Sequence, residues 1–222
     1  MKVIVLLAQK GGVGKSTLAR HWAVIAQEQT GLKTAIIDLD PQQTATKWFL
    51  RRHSQRHLDT PPVLQANKRS LRAALNACKE EECDVVFIDT PGKSSDLNVI
   101  AAKHADVAAI PCAPKADDID TLKDTLEVTK LAGTPAAYIF LNSGAYQGQR
   151  NQLAAEVINK SYGVAVCPTP IAQRTSIHAA FEDGRTVFEC SPSSKGAQEV
   201  IDSWNWLAKM MRLNGKKRGK TK

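Results

Sequence analysis

The chain has 222 residues, 43% of them hydrophobic and only 5% aromatic, which suits one large α/β domain better than two small ones. Its net charge of +8 invites a polyanionic partner. No apolar run reaches the roughly 18 residues of a membrane span. Five scattered cysteines without a Cys-x-x-Cys pair argue against a disulfide framework or a zinc or iron–sulfur site, and favour a reduced, cytosolic compartment.

The first seven residues are an apolar run that passes straight into a glycine loop with no small-residue cleavage site, so they read as a strand and not as a signal peptide. Further strand-like runs follow at 34–37, 85–88, 107–110 and 137–141. They are continuous rather than alternating, as strands buried on both faces of a parallel sheet are. Helical patterns lie between them at 16–30, 68–81, 95–103, 119–131 and 149–161. The rhythm predicts a doubly wound, mostly parallel α/β sheet with helices on both faces, forming one domain over residues 1–213. The basic stretch 51–62, ending in Pro61-Pro62, is expected to be a loop, and residues 214–222, with five cations, a solvated disordered tail.

The strongest motif is Gln9-Lys10-Gly11-Gly12-Val13-Gly14-Lys15-Ser16-Thr17, after the first strand and before a helix. A phosphate-binding loop needs glycines where the backbone turns and approaches its ligand, a lysine for the β- and γ-phosphates, and a hydroxyl for Mg²⁺. The following helix adds unpaired N–H groups and the positive end of its dipole. Gly11, Gly12, Val13, Gly14, Lys15, Ser16 and Thr17 are therefore the candidate nucleotide contacts. The usual opening glycine is replaced by Gln9, and a second lysine, Lys10, follows it. Two lysines are excessive for one triphosphate unless one of them serves another nucleotide.

Two acidic groups should accompany such a loop. The second strand runs into Asp38-Leu39-Asp40-Pro41-Gln42, which puts Asp38 and Asp40 on one side at the carboxyl end of the sheet. One carboxylate would order the Mg²⁺ water shell and the other would position an attacking water. Asp89 ends the run 85–88 and would hold a Mg²⁺-bound water, with Thr90-Pro91-Gly92 placed to sense the γ-phosphate. The candidate metal groups are thus Ser16, Asp38 and Asp89, with ATP and Mg²⁺ as ligands.

The Lys-Gly-Gly-x-Gly-Lys-Ser loop and the Asp-x-Asp-Pro-Gln segment resemble the deviant Walker A ATPases, the superfamily of ParA, Soj, MinD and the nitrogenase iron protein. The resemblance extends through Ile171-Ala172-Gln173-Arg174 and Gly184-Arg185-Thr186 to about residue 213. It implies an Mg²⁺-dependent ATPase with a slow intrinsic rate that dimerises on ATP. In it Lys10 would reach across the interface to the partner's phosphates, Lys15 would act in cis, and Asp40 would orient water. Asn142 would read the adenine edge, and the loop around Pro111 and Pro114 would contribute to the dimer face.

Within the superfamily the cysteines do not match the iron-protein branch. The single strand ahead of the phosphate loop points to the short DNA-segregation type, which is cytoplasmic and nucleoid-associated. That type implies non-specific duplex DNA and a ParB-like, centromere-binding protein as partners. Arg174, Lys195, Lys209 and Arg212, helped by the tail, are the candidate DNA contacts. The alternative is a MinD-like membrane-positioning ATPase. It rests on the last helix, where Val200, Trp204, Leu207 and Met211 form one apolar stripe and Trp206, Met210 and Leu213 another, which is open to the core itself, a partner chain or a membrane surface.

Overall fold

The computed structural model describes residues 1–93, 96–144, 149–213 and 215. The basic tail expected over residues 214–222 lies almost wholly outside them. Seven strands form one sheet: β1 (Lys2–Leu6), β2 (Thr34–Asp38), β3 (Val63–Gln65), β4 (Val85–Asp89), β5 (Val107–Cys112), β6 (Ala137–Gly144) and β7 (Ile171–Ala172). Their order is β3-β2-β4-β1-β5-β6-β7, and every pairing is parallel. The central strands β1, β2, β4 and β5 are almost entirely buried, which is why their sequences read as unbroken apolar runs.

Alternation along each strand feeds two separate cores. From β1, Ile4 and Leu6 point into one, with α1 (Lys15–Thr30), α2 (Thr44–Arg56), α8 (Thr175–Glu182), α9 (Val187–Cys190) and α10 (Lys195–Met210). Val3, Val5 and Leu7 point into the other, with α3 (Leu71–Glu80), α4 (Asp96–Lys103), α6 (Leu122–Ala132) and α7 (Arg150–Tyr162). The short α5 (Ala116–Asp120) precedes α6, and Thr121 separates two helices where one was expected.

One other expectation is corrected. Residues 51–56 are not loop but the second half of α2. Their basic side chains hid the helix because its apolar face is narrow: only Ala45, Trp48 and the stem of Arg52 are buried. The guanidinium of Arg52 is satisfied inside the protein by Thr60 O, Gly184 O and Glu189. On α10, Val200, Trp204 and Leu207 enter the core as the first stripe predicts. Trp206 from the second stripe stands edge-on to Tyr138 and Phe140 of β6, with ring centroids 5.3 and 5.7 Å away. The second stripe is therefore used in large part by the protein's own sheet. Trp22 of α1 fixes the same helix by donating to Ser203 Oγ at 3.0 Å.

Candidate functional site

The strand order reverses at β1, so the loop leaving its carboxyl end faces the crevice where an open α/β sheet binds ligands. Gly14 caps α1 with φ of 103°, a left-handed conformation open to glycine. A Cβ at Gly14 would also lie 2.1 Å from Nδ2 of Asn142. The close approach exists because Asn142, buried at the end of β6, donates to Val13 O at 2.7 Å. Asn142 thus buttresses the phosphate loop from behind, a role its sequence position did not disclose, and lines a small cavity with Gly12, Thr17 and Arg174. Residues 9–12 and 14–17 line a much larger cleft of about 780 Å³ together with Asp40, Pro41, Gln42, Thr44, Pro91, Gly92 and Lys93.

Lys15 is buried beside this cleft, and its Nζ donates to Lys10 O at 3.4 Å. Burial lowers its pKa, while the negative charges of Asp89 and Asp40 hold it up. Asp89 sits directly opposite Asp38 in the β2–β4 register. It is fully buried, and neither of its carboxylate oxygens has a hydrogen-bond partner among the described residues. Desolvation pushes it up to about 7, Asp38 and Asp40 add to the rise, and the Ser16 hydroxyl and Lys15 ammonium draw it back. A carboxylate left unsatisfied at such a place needs a partner from outside the chain. Two open oxygens near a serine hydroxyl suit Mg²⁺, which takes one or two carboxylates and completes its shell with phosphate and water.

Asp38, the other expected acid, is engaged within the chain. Its Oδ2 accepts from both the backbone N (2.9 Å) and the hydroxyl (2.8 Å) of Thr46, and its Oδ1 accepts from Asp40 N at 3.1 Å. A carboxylate bonded in this way holds the first turn of α2, whereas no geometric hydrogen bond among the described residues engages the Asp89 oxygens. Asp40 is half-buried on the cleft wall, where its Oδ1 accepts from Gln42 N at 2.9 Å.

Lys10 lies at the cleft's rim, 42% exposed, and is not idle. Its Nζ contacts Asp117 Oδ2 at 2.8 Å and Asp118 Oδ1 at 3.1 Å, both on α5. Hydrogen bonds to these two acids raise its pKa, and Lys10 in turn lowers that of Asp117. Sequence reasoning placed this loop near a dimer face but missed that its acids hold the lysine within one chain. The signal was Asp117-Asp118-Ile119-Asp120 directly after Pro114, which would have required knowing the fold to interpret.

Arg20 and His21 were also missed, because a basic pair inside a helix reads as a solvated face. Arg20 is buried under the loop; its Nε donates to Ser16 O at 3.0 Å and its guanidinium lies 4.5 Å from the Phe181 ring centroid. Nδ1 of His21 donates to Thr17 O at 2.8 Å, and its Nε2 accepts from Val187 N at 3.1 Å. Together they tie the first turn of α1 to α8 and α9.

The four candidate DNA contacts do not converge. Arg174 is tied to Glu199, with Nε 3.0 Å from Oε2, so much of its charge is compensated. It lies by the start of α10 with Lys195, since its Cδ is the atom a Cβ on Gly196 would meet first, at 2.9 Å. Lys209 and Arg212 are exposed at the other end, about 20 Å away at 1.5 Å per residue. Among the described residues, no helix is long and apolar enough to cross a membrane.

Comparison with known proteins gives a coherent result. The family model described as ATPase MipZ matches residues 2–141. Protein ParA of Rhizobium radiobacter is 24% identical over 83% of this chain and 84% of its own length. The chromosome-partitioning ATPase Soj of Thermus thermophilus is 26% identical over 87% and 90% respectively. Among solved structures, a chain of the MinC:MinD cell division protein complex of Aquifex aeolicus superposes with a TM-score of 0.77. It covers 94% of this chain and 96% of that one at 16% identity, which is a likeness of fold.

Proposed function

The chain belongs to the MipZ family of ATPases, and from that premise we propose that it is a ParA-like DNA-partition switch, dimeric with ATP, bound to duplex DNA without sequence preference, and reset by hydrolysis that a partner protein stimulates. The observation that carries this reading is Lys10. A second lysine stands at the cleft's rim, away from the phosphate position that Lys15 already serves, and two acids on the neighbouring helix hold it there. Such a residue is stored for use elsewhere. Handing it to a facing copy would place a cation where charge develops during phosphoryl transfer, as an arginine finger does.

The remaining residues take roles that the geometry supports. Lys15 and the N–H groups of residues 11–17 receive the phosphates, and Asn142 keeps Val13 in place behind them. Asp89 and Ser16 would hold Mg²⁺, which would supply positive charge against the phosphates. Asp40 is on the cleft wall where an attacking water would be oriented. The excess of cations over acids supports a nucleic-acid partner. The Lys195 end of α10 is the better candidate surface, because Lys195 is exposed and near Arg174, which lines the small cavity behind the phosphate loop. The membrane alternative is weakened by Trp206, whose ring is spent on Tyr138 and Phe140. A centromere-binding protein of ParB type is the proposed stimulating partner.

The test is the Lys10→Ala chain, examined by light scattering and by ATP turnover with and without DNA. It should bind ATP as a monomer, hydrolyse it at a rate that DNA and partner do not raise, and bind DNA no better with ATP than with ADP. An undiminished ATP dimer in that variant would refute the trans-lysine reading.

A further inference from the structure

The segment 90–93 that follows β4 is held at three points, one of them on the phosphate loop. Thr90, fully buried, donates from Oγ1 to Leu6 O at 2.6 Å, on the strand that carries the phosphate loop. Gly92 then lies so close to that loop that an added Cβ would meet Gly11 Cα at 2.9 Å and Gly11 N at 3.0 Å. Both are backbone atoms with no freedom to turn aside, so the contact requires glycine. Finally, Lys93 O accepts from Nδ2 of Asn98 at 3.1 Å, and Asn98 is itself only 2% exposed. These anchors set the backbone of Lys93, whose exposed side chain forms part of the phosphate cleft.

The cleft therefore has three lysines in three electrostatic situations. Lys15 is buried within it, with Asp89 and Asp40 as the charges that support it. Lys10 is paired with Asp117 and Asp118. Lys93 has no acidic partner among the described residues; the nearby Asp96 is paired with Lys68 at 3.5 Å. A lysine that lines a phosphate cleft without an acidic partner among the described residues has anionic ligand as its natural complement.

We propose that Lys93 reads the terminal phosphate in cis and sets the preference of this site for a nucleoside triphosphate over a diphosphate. This rests on the ATPase reading and adds a specificity residue to it. A triphosphate brings one more charged group to the cleft than a diphosphate does, and Lys93 is the cleft lysine that no acid among the described residues holds. Since Gly92 presses on Gly11, one residue from Lys10, the loop that makes this contact also touches the segment that carries the second lysine.

The experiment compares wild type, Lys93→Gln and Lys93→Arg, each also in the Lys10→Ala chain so that dimerisation does not contribute. Affinities for ADP and for a slowly hydrolysed ATP analogue are read by fluorescence anisotropy of labelled nucleotide with Mg²⁺, and the nucleotide-free melting temperature checks the fold. Lys93→Gln should weaken the triphosphate about tenfold and ADP less than twofold, and Lys93→Arg should recover most of the loss. Equal loss for both nucleotides, or an unchanged ratio, overturns the proposal while leaving the ATPase reading standing. A wild-type chain that binds neither nucleotide overturns both.

Discussion

Asp89 is built for a ligand and should destabilise the chain when that ligand is absent. Its carboxyl is buried, with only the Ser16 hydroxyl and the Lys15 ammonium among the described residues to draw it back, and its pKa rises from 3.8 to about 7. The sign follows from linkage: an acid raised on folding costs nothing below pH 3.8, an increasing amount between 3.8 and 7, and a constant amount above. At roughly 1.4 kcal/mol per pH unit, the full penalty is about 4 kcal/mol at pH 8 and about 2 kcal/mol at pH 5. Asp89→Asn removes the ionisation but also an anion that supports Lys15, so a net gain of about 2 kcal/mol at pH 8 is expected. Urea unfolding of the nucleotide-free chains at pH 8 and pH 5 measures this. The variant should be the more stable at pH 8, with the advantage shrinking toward pH 5. It should also lose the extra stability that Mg²⁺ and ATP together give the wild type. If the variant is less stable than wild type at both pH values, Asp89 is a structural carboxylate and its assignment to the metal is wrong.

Other outcomes follow from single contacts. Burial lowers the pKa of His21 to about 3, so stability from the neutral ring is complete above pH 6.5 and is lost as pH falls from there toward 3. His21→Gln does not titrate, and its stability deficit at pH 7 should shrink by about 2 kcal/mol at pH 5 in parallel unfolding curves; a constant deficit would contradict the buried neutral ring. Gly92→Ala forces its Cβ onto Gly11 backbone and should cost about 1–3 kcal/mol along with most nucleotide affinity, read by thermal melts with and without ATP. For DNA, Lys195→Ala should reduce the slope of log K against log salt by about 0.9, whereas Arg174→Ala should change it little because Glu199 already compensates that charge; equal effects would reverse this ranking.

The fold was legible where burial is complete. Strands buried on both sides have no alternation to misread, and the core strands were found to within two residues except at the end of β6, which runs on to Gly144. The phosphate loop was equally clear, since few sequences need glycines, lysine and hydroxyl at that spacing. Elements held by long-range polar contacts were not legible. Helix α2 buries little apolar surface, and Arg52 is satisfied by residues more than a hundred positions away in the chain. β3 and β7 are three and two residues long, too short to show a period. Within the site, residue types located the acids but could not divide their work. Asp38 and Asp89 differ only in what surrounds them: Thr46 occupies the first, and nothing among the described residues occupies the second.

The same limit applies to Lys10, and it bears on how a switch of this kind stays off. A lysine free in solvent would find any nearby phosphate, including one in its own cleft. Pairing with Asp117 and Asp118 gives it a competing partner, of which Asp118 is nearly buried and Asp117 largely exposed. The buried acid fixes the position, and the exposed one is the easier to abandon, since solvent screens it. Release of Lys10 must then be driven by something that offers a stronger anion than two carboxylates; in the proposed dimer a triphosphate presented by a second copy would do so, and ADP would offer less charge. On the dimeric reading proposed above, the acids on α5 would make dimerisation depend on the nucleotide in the facing subunit as well as in the chain's own cleft. A single unpaired lysine would give no such requirement.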